Sequence, residues 1–261
     1  MKAKKILRVA WEGLTLNKVR SFLTTLGVII GVASVIVMLA VSSGAEAAIA
    51  EQINALGANL IIVTPKRGTP GAARTLLFDD ALAIEEQIVG ITDISAEQAP
   101  PAQTVKAEGL TLDSIAVIGT TAGFADVRDY AIASGRYFNE VEDDRKAKVA
   151  VLGAGIAADF FGTNDPIGQT ITVGSTKLTV IGVMEEKGMV ADTDYDGRIY
   201  LPINLVFQKY MTTMSFGSDR VRTIYVKAES QEQIDSVITQ ITVLLAERHD
   251  VDASAPDFSI Q

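Results

Sequence analysis

Chemistry needs side chains that titrate, ligate or attack, and this sequence holds few in useful company. It has one His and no Cys, which removes thiol nucleophiles, redox dithiols and cysteine-based zinc sites, and a single imidazole cannot build a multi-histidine metal centre. His249 follows a run with helical spacing. There it reads as a solvated residue, or one complementing the negative end of a helix dipole, rather than as the base of a Ser-His-Asp triad. No G-x-x-x-x-G-K-[ST], H-E-x-x-H or G-x-S-x-G occurs, so nucleotide-binding, zinc-protease and hydrolase signatures are all missing. Two acidic groups remain. Asp192-x-Asp194-x-Asp196-Gly197 looks like the first half of a calcium loop, but its twelfth position is Ile203 where a bidentate Glu belongs. A polar turn before a strand at 198–201 describes it better. Glu140, Glu142, Asp143 and Asp144 read as a solvated loop face. The sequence therefore nominates no catalytic, cofactor-binding or metal-binding residue.

The charge distribution is more informative than any motif. Of 23 Lys and Arg and 32 Asp and Glu in 261 residues, six bases and one acid fall in residues 1–20, net +5. The other 241 residues carry 17 bases and 31 acids, net −14. An acidic whole argues against a nucleic-acid surface, which needs clustered Lys and Arg. Between Arg20 and Glu46 lie 25 uncharged residues, and within 22–41 only Thr24, Thr25 and Ser34 are polar. Twenty helical residues span about 30 Å, the hydrocarbon thickness of a bilayer, so this stretch predicts a transmembrane helix. The basic flank places its N-terminal side in the cytoplasm and the rest of the chain outside. A cleaved signal peptide, with Ala45-Glu46-Ala47 as the cleavage site, has a shorter apolar core. A buried core helix is the other competing reading.

Ahead of the span, Ile6, Leu7, Ala10, Trp11 and Leu14 recur at helical spacing among Lys4, Lys5, Arg8 and Lys18. This predicts an amphipathic leader helix in the headgroup region, with Trp11, Lys18 and Arg20 at the membrane interface. Gly27 and Gly31 form a GxxxG, two glycines on one helix face where another helix could approach. The periodicity continues through 45–56, which extends the helix as a stalk.

The remainder reads as a body of mixed helix and strand, α+β in class. A strand at 60–64, a helix from Asp79 and Asp80 through Ile88, and a strand at 91–96 make a β-α-β unit. A similar unit closes the chain: a strand at 221–227, a capping box of Ser230 with Gln233, a helix ending near His249, and a last strand from Asp257. The two units could share one sheet, with the middle as an insertion. That middle predicts strands at 114–119, 147–152, 170–173 and 177–183, a hairpin at Gly174-Ser175-Thr176 and a helix at 155–161. The division is a leader at 1–20, a membrane helix at 21–45, one lobe from 46–111 and 215–261, and a strand-rich inserted lobe at 112–214.

With these features in order, residues 14–33 (LTLNKVRSFLTTLGVIIGVA) resemble the signature N-K-x-R-S-x-L-T-x-L-G-I-I-I-G-V of the first membrane helix in MacB-type permeases of the FtsX superfamily of ABC transporters. Gly57-Ala58-Asn59-Leu60 is similar to the family's G-x-N-L, and Gly135-Arg136-Tyr137-Phe138 to its G-R-x-F. Matches at 149–153, Phe161-Gly162, 165–169 and 180–183 follow in the same order. The resemblance implies a non-catalytic permease whose porter-like lobe and inserted lobe lie outside the membrane, moved by an ATPase that works inside without substrate crossing the bilayer. It implies as partners an ABC ATPase, which would hold ATP and Mg, a second permease copy in a homodimer or heterodimer, and a membrane fusion or other envelope protein. The chain starts at Met1 with the leader, so the ATPase is expected on a separate polypeptide. The family's three later membrane helices have no counterpart before Gln261, which fits a truncated permease or a single-span relative. A membrane-anchored envelope binding or scaffold module is the alternative.

Overall fold

A computed structural model of the protein describes residues 18–55, 59–66, 76–190, 193–211 and 219–261. Residues 1–17 of the leader, including Trp11, lie outside these residues. The chain separates into two units, 1–55 and 56–261, taken here in turn.

The first unit contains α1 (Lys18–Ala55), one helix of 38 residues. Phe22–Val41 within it is long and apolar enough to cross a membrane, and none of it is buried in the protein. That exposure sets aside the buried core helix. The hydroxyl of Ser34 donates to the Ile30 carbonyl and that of Ser43 to the Leu39 carbonyl, both at 2.8 Å. Each polar group is thereby satisfied within the helix, as a hydrocarbon environment requires.

The second unit begins with β1 (Leu60–Pro65), α2 (Phe78–Gln87) and β2 (Ile91–Gln98). It ends with β12 (Thr223–Ala228), a 3₁₀ turn at Gln231–Gln233, α7 (Ile234–His249) and β13 (Phe258–Ile260). The two β-α-β units interleave: β12 lies antiparallel between β1 and β2, and β13 pairs antiparallel on the far side of β1. The order β2-β12-β1-β13 is that of a ferredoxin-like sheet built from two split β-α-β units. Alternation in β1 buries Ile61 and Val63 against Ile84 of α2 and Val237, Ile241 and Leu245 of α7. No capping-box hydrogen bond forms at Ser230. The Gln233 side chain instead lies against Gly90, and with its amide turned to face the nitrogen inward it donates to the Gly90 carbonyl at 3.2 Å.

Between these halves run β3 (Gln103–Ala107), β4 (Leu110–Thr120), α3 (Phe124–Val127), β5 (Ile132–Gly135), α4 (Glu140–Asp144), β6 (Val149–Leu152) and α5 (Ala154–Phe161). They are followed by β7 (Thr170–Val173), β8 (Thr176–Met184), β9 (Met189–Val190), β10 (Thr193–Asp194), β11 (Arg198–Pro202) and α6 (Ile203–Lys209). Pairing closes on itself, from β4 to β11, β6, β8, β7, β3 and back to β4. The result is a small barrel. Its interior takes every second side chain, such as Ala150 and Leu152 on β6 or Ile199 and Leu201 on β11. The alternates Val151 and Tyr200 pack outside it under Phe124, Tyr130 and Phe138. Both faces of β6 and β11 are thus covered, which is why VAVL and IYL read as unbroken apolar runs. Strand β3, placed by sequence in the first lobe, sends Val105 and Ala107 into the barrel. The barrel meets the ferredoxin-like sheet where Glu97 and Gln98 of β2 pair with Thr120 and Gly119 of β4. Helix α6 bridges the same junction, with Ile203 in one core and Leu205 and Val206 in the other.

Candidate functional site

In α1 the positions where Gly27 and Gly31 would carry a Cβ meet nothing within 4 Å among the described residues. The two glycines therefore leave a shallow open strip on a helix whose described surface is otherwise exposed and apolar. Lys18 begins the helix and Arg20 lies in its first turn.

In the body the structure corrects the reading of His249. Rather than a solvated helix end, it is 6% exposed, because β13 returns across the end of α7 and α2 starts beside it. Nδ1 lies 2.8 Å from Asp257 Oδ1 and Nε2 lies 3.1 Å from Asp80 Oδ2, with Phe258 edge-on to the ring at 5.9 Å. Asp80 is the third residue of α2 and accepts from the Leu77 N–H at 2.9 Å, which completes that helix's cap, and from Arg248 Nε at 2.8 Å. Arg248 also pairs with Asp79. The hydrogen bond to Asp80 raises the His249 pKa, against the opposing effect of burial and with help from Asp257. Burial alone would raise Asp80, but hydrogen bonds from His249, Leu77 and Arg248 outweigh it and hold the carboxyl below its ordinary value. An imidazole with carboxylates at both nitrogens has no face left for a serine, so a hydrolase triad cannot assemble here. The cluster is a clasp joining α2, α7 and the approach to β13.

Asp194 and Asp196 are occupied by backbone rather than aimed at a common point. Asp194 accepts from the N–H groups of Asp196 and Gly197, and Asp196 from those of Lys187 and Gly188, at 2.8–3.1 Å. Asp192 lies outside the described residues.

The acidic run at 140–144 also differs from the expected solvated loop. It is a helical turn capped by Asn139, whose side chain accepts from the Glu142 N–H at 2.9 Å. Glu142 forms a two-pronged pair with Arg136 at 2.7 and 2.8 Å. Asp143 is buried and accepts from the Asn204 N–H at 3.0 Å, and burial pushes its carboxyl up to about 6. Together with α2, the end of α4 encloses a cleft of about 830 Å³, within the range of ligand pockets.

The glycine motifs are fold positions. Gly135 has φ +76°, and a Cβ there would collide with the Ile181 carbonyl, while one on Gly182 would collide with the Arg136 carbonyl. The two glycines let β5 and β8 cross in contact, and the Arg136 N–H donates to the Ile181 carbonyl at 3.0 Å.

Residues 21–244 match the family model of the MacB-like periplasmic core domain. The chain is 31% identical over 259 residues to the macrolide export ATP-binding/permease protein MacB of Bdellovibrio bacteriovorus, covering 95% of this chain and 38% of that protein. It is 35% identical over 262 residues to the protein of the same name from Azoarcus sp. (strain BH72), covering 97% and 38%. The chain thus spans about two-fifths of the length of these curated relatives. Among solved structures, the periplasmic region of MacB from Actinobacillus actinomycetemcomitans superimposes with a TM-score of 0.63 at 22% identity, covering 80% of this chain and 91% of that one. The extracellular domain of the noncanonic ABC-type transporter YknZ from Gram-positive bacteria does so with a TM-score of 0.61 at 20% identity, covering 78% and 100%. These likenesses establish a shared fold, and with the sequence match over most of its length they show that the chain belongs to the family of the MacB-like periplasmic core domain.

Proposed function

We propose that the chain is the part of a MacB-like ABC exporter permease that holds the first membrane helix and the extracytoplasmic body, and that it couples ATP hydrolysis elsewhere in the transporter to movement of that body. The observation that carries this reading is a match to named export permeases over nearly the whole chain, apolar helix and body together. The N-terminus lies in the cytoplasm, in keeping with its excess of Lys and Arg, and the body lies in the periplasm or outside the cell. This part does no covalent chemistry of its own: it carries no phosphate-binding loop, and its one imidazole is held between two carboxylates. ATP and Mg belong to the ATPase component. A second permease copy packs against α1 through Gly27 and Gly31, and a membrane fusion or other envelope protein takes the exported cargo onward.

The test is purification of the full gene product from native membranes through a tag in the body. Vanadate-sensitive ATP hydrolysis is expected to accompany it, on the same or an associated polypeptide, and to fall when the body is cross-linked in a dimer. Preparations from native membranes that never contain an ATPase overturn the proposal.

A further inference from the structure

The cleft beside α2 has an unusual lining. Its apolar wall comes from Phe78, Leu82, Ile94, Phe138 and Val141, and two of these stand out into solvent, Leu82 at 47% and Val141 at 53% exposed. Its charged groups are all of one sign: Glu85, Asp93, Asp126, Glu140, Asp143 and Asp144, with no Lys, Arg or His among the lining residues. Lys227, the base whose charge reaches Asp93, is already engaged by the Asp129 carboxylate and the Asp126 carbonyl.

We infer that this cleft is a docking site for a basic segment of a partner polypeptide, one that alternates Lys or Arg with large apolar residues. With Asp143 buried on the Asn204 N–H, the five other carboxylates spread over α2, β2, α3 and α4 are still more than one amine can neutralise, whereas several cationic side chains on one strand of peptide can meet them in turn. The apolar wall between the acids accepts the intervening side chains, and exposed Leu82 and Val141 give it purchase at the rim. The free protein carries the strain of this arrangement. Burial and the charges of Glu140 and Asp93 raise the Glu85 pKa, and burial with Asp126 and Glu140 raises that of Asp93. A cationic ligand relieves both. This inference does not depend on the transport reading, since it concerns the lining alone.

A fluorescein-labelled peptide of alternating Lys and Leu, titrated by anisotropy into the full chain in detergent at about 0.15 M salt, tests it. Removing three exposed cleft charges together (Glu85→Gln, Asp126→Asn, Glu140→Gln) is expected to weaken binding at least about tenfold. Removing three exposed acids elsewhere (Asp159→Asn, Glu186→Gln, Glu247→Gln) is expected to change it less than about twofold. Leu82→Ser, or replacement of the peptide's Leu by Ser, is expected to weaken binding several-fold. All variants are compared at matched unfolding temperature, and Leu82→Ser, on the rim, serves if the triple variant fails to fold. Equal loss in the two triple variants, or undiminished binding of the Lys-Ser peptide, reduces the effect to diffuse charge and overturns the proposal. Spermine that displaces the peptide mole for mole makes the cleft a polyamine site and overturns it too.

Discussion

The Nε2 of His249 lies 3.1 Å from the Asp80 carboxylate, across 169 residues of chain, and this contact makes the clasp sensitive to pH. The His249 pKa is raised above 6.5, so its contribution to stability is complete below 6.5 and is lost as pH climbs through the folded-state value. The Asp80 pKa is lowered from 3.8, so its contribution is complete above 3.8 and is lost as pH falls through the folded-state value. Between those limits the clasp is at full strength. The melting-temperature gap between wild type and His249→Gln should be widest below pH 6.5 and narrow as pH is taken into the alkaline range. A gap that stays constant over that interval would show that the imidazolium is not what the clasp relies on.

Asp80 and Asp79 should differ sharply. Asp80→Ala strands Leu77 N–H, Arg248 Nε and His249 in a site where the carboxylate is 3% exposed, at a cost of about 3–5 kcal/mol. Asp79, 75% exposed, should lose less than about 1 kcal/mol on change to Ala. Urea unfolding of the two variants decides it, and equal losses would contradict the burial described.

Gly135→Ala should destabilise by more than about 2 kcal/mol, since it adds a collision with the Ile181 carbonyl to the left-handed backbone penalty. Gly109 has a similar φ of +77° but open space around it, so Gly109→Ala isolates the backbone term at about 1 kcal/mol. Denaturation midpoints that match for both would place the β5–β8 crossing elsewhere.

Gly27→Leu with Gly31→Leu should weaken helix self-association in a membrane reporter assay while leaving insertion intact, because nothing among the described residues fills the space beside either glycine. Unchanged association removes the pair from any interface.

Local patterns wrote much of this fold into the sequence. The charge gap marked α1, and the alternation of 170–183 marked the hairpin that the structure closes with Val173 opposite Thr176. The helix read as ending near His249 is α7, with Val237, Ile241 and Leu245 fully buried along one face. What the sequence hid is partnership over distance. Periodicity says which face of a strand is apolar but not which strand lies beside it, so neither the insertion of β12 between β1 and β2 nor the pairing of β4 with β11 could be read. His249 looked solvated because its two carboxylate partners come from other elements, one of them at the start of α2. The acidic turn at 140–144 is too short to show a buried face, and Asp143 acquires its partner from Asn204, 61 residues away.

The closed circuit of β4, β11, β6, β8, β7 and β3 has no loose end from which it could unzip, because a pull on any member is shared by the strands on both sides. It resists torsion like a hoop. Its attachment to the ferredoxin-like sheet is a broader seam: the pairs Glu97–Thr120 and Gln98–Gly119, Thr121 bonded to Ser95 and Ala96, Lys227 paired with Asp129, Phe124 against Tyr225, and α6 across the junction. A twist applied at the sheet therefore enters the hoop through several elements at once, and the closed circuit of strands shares it out.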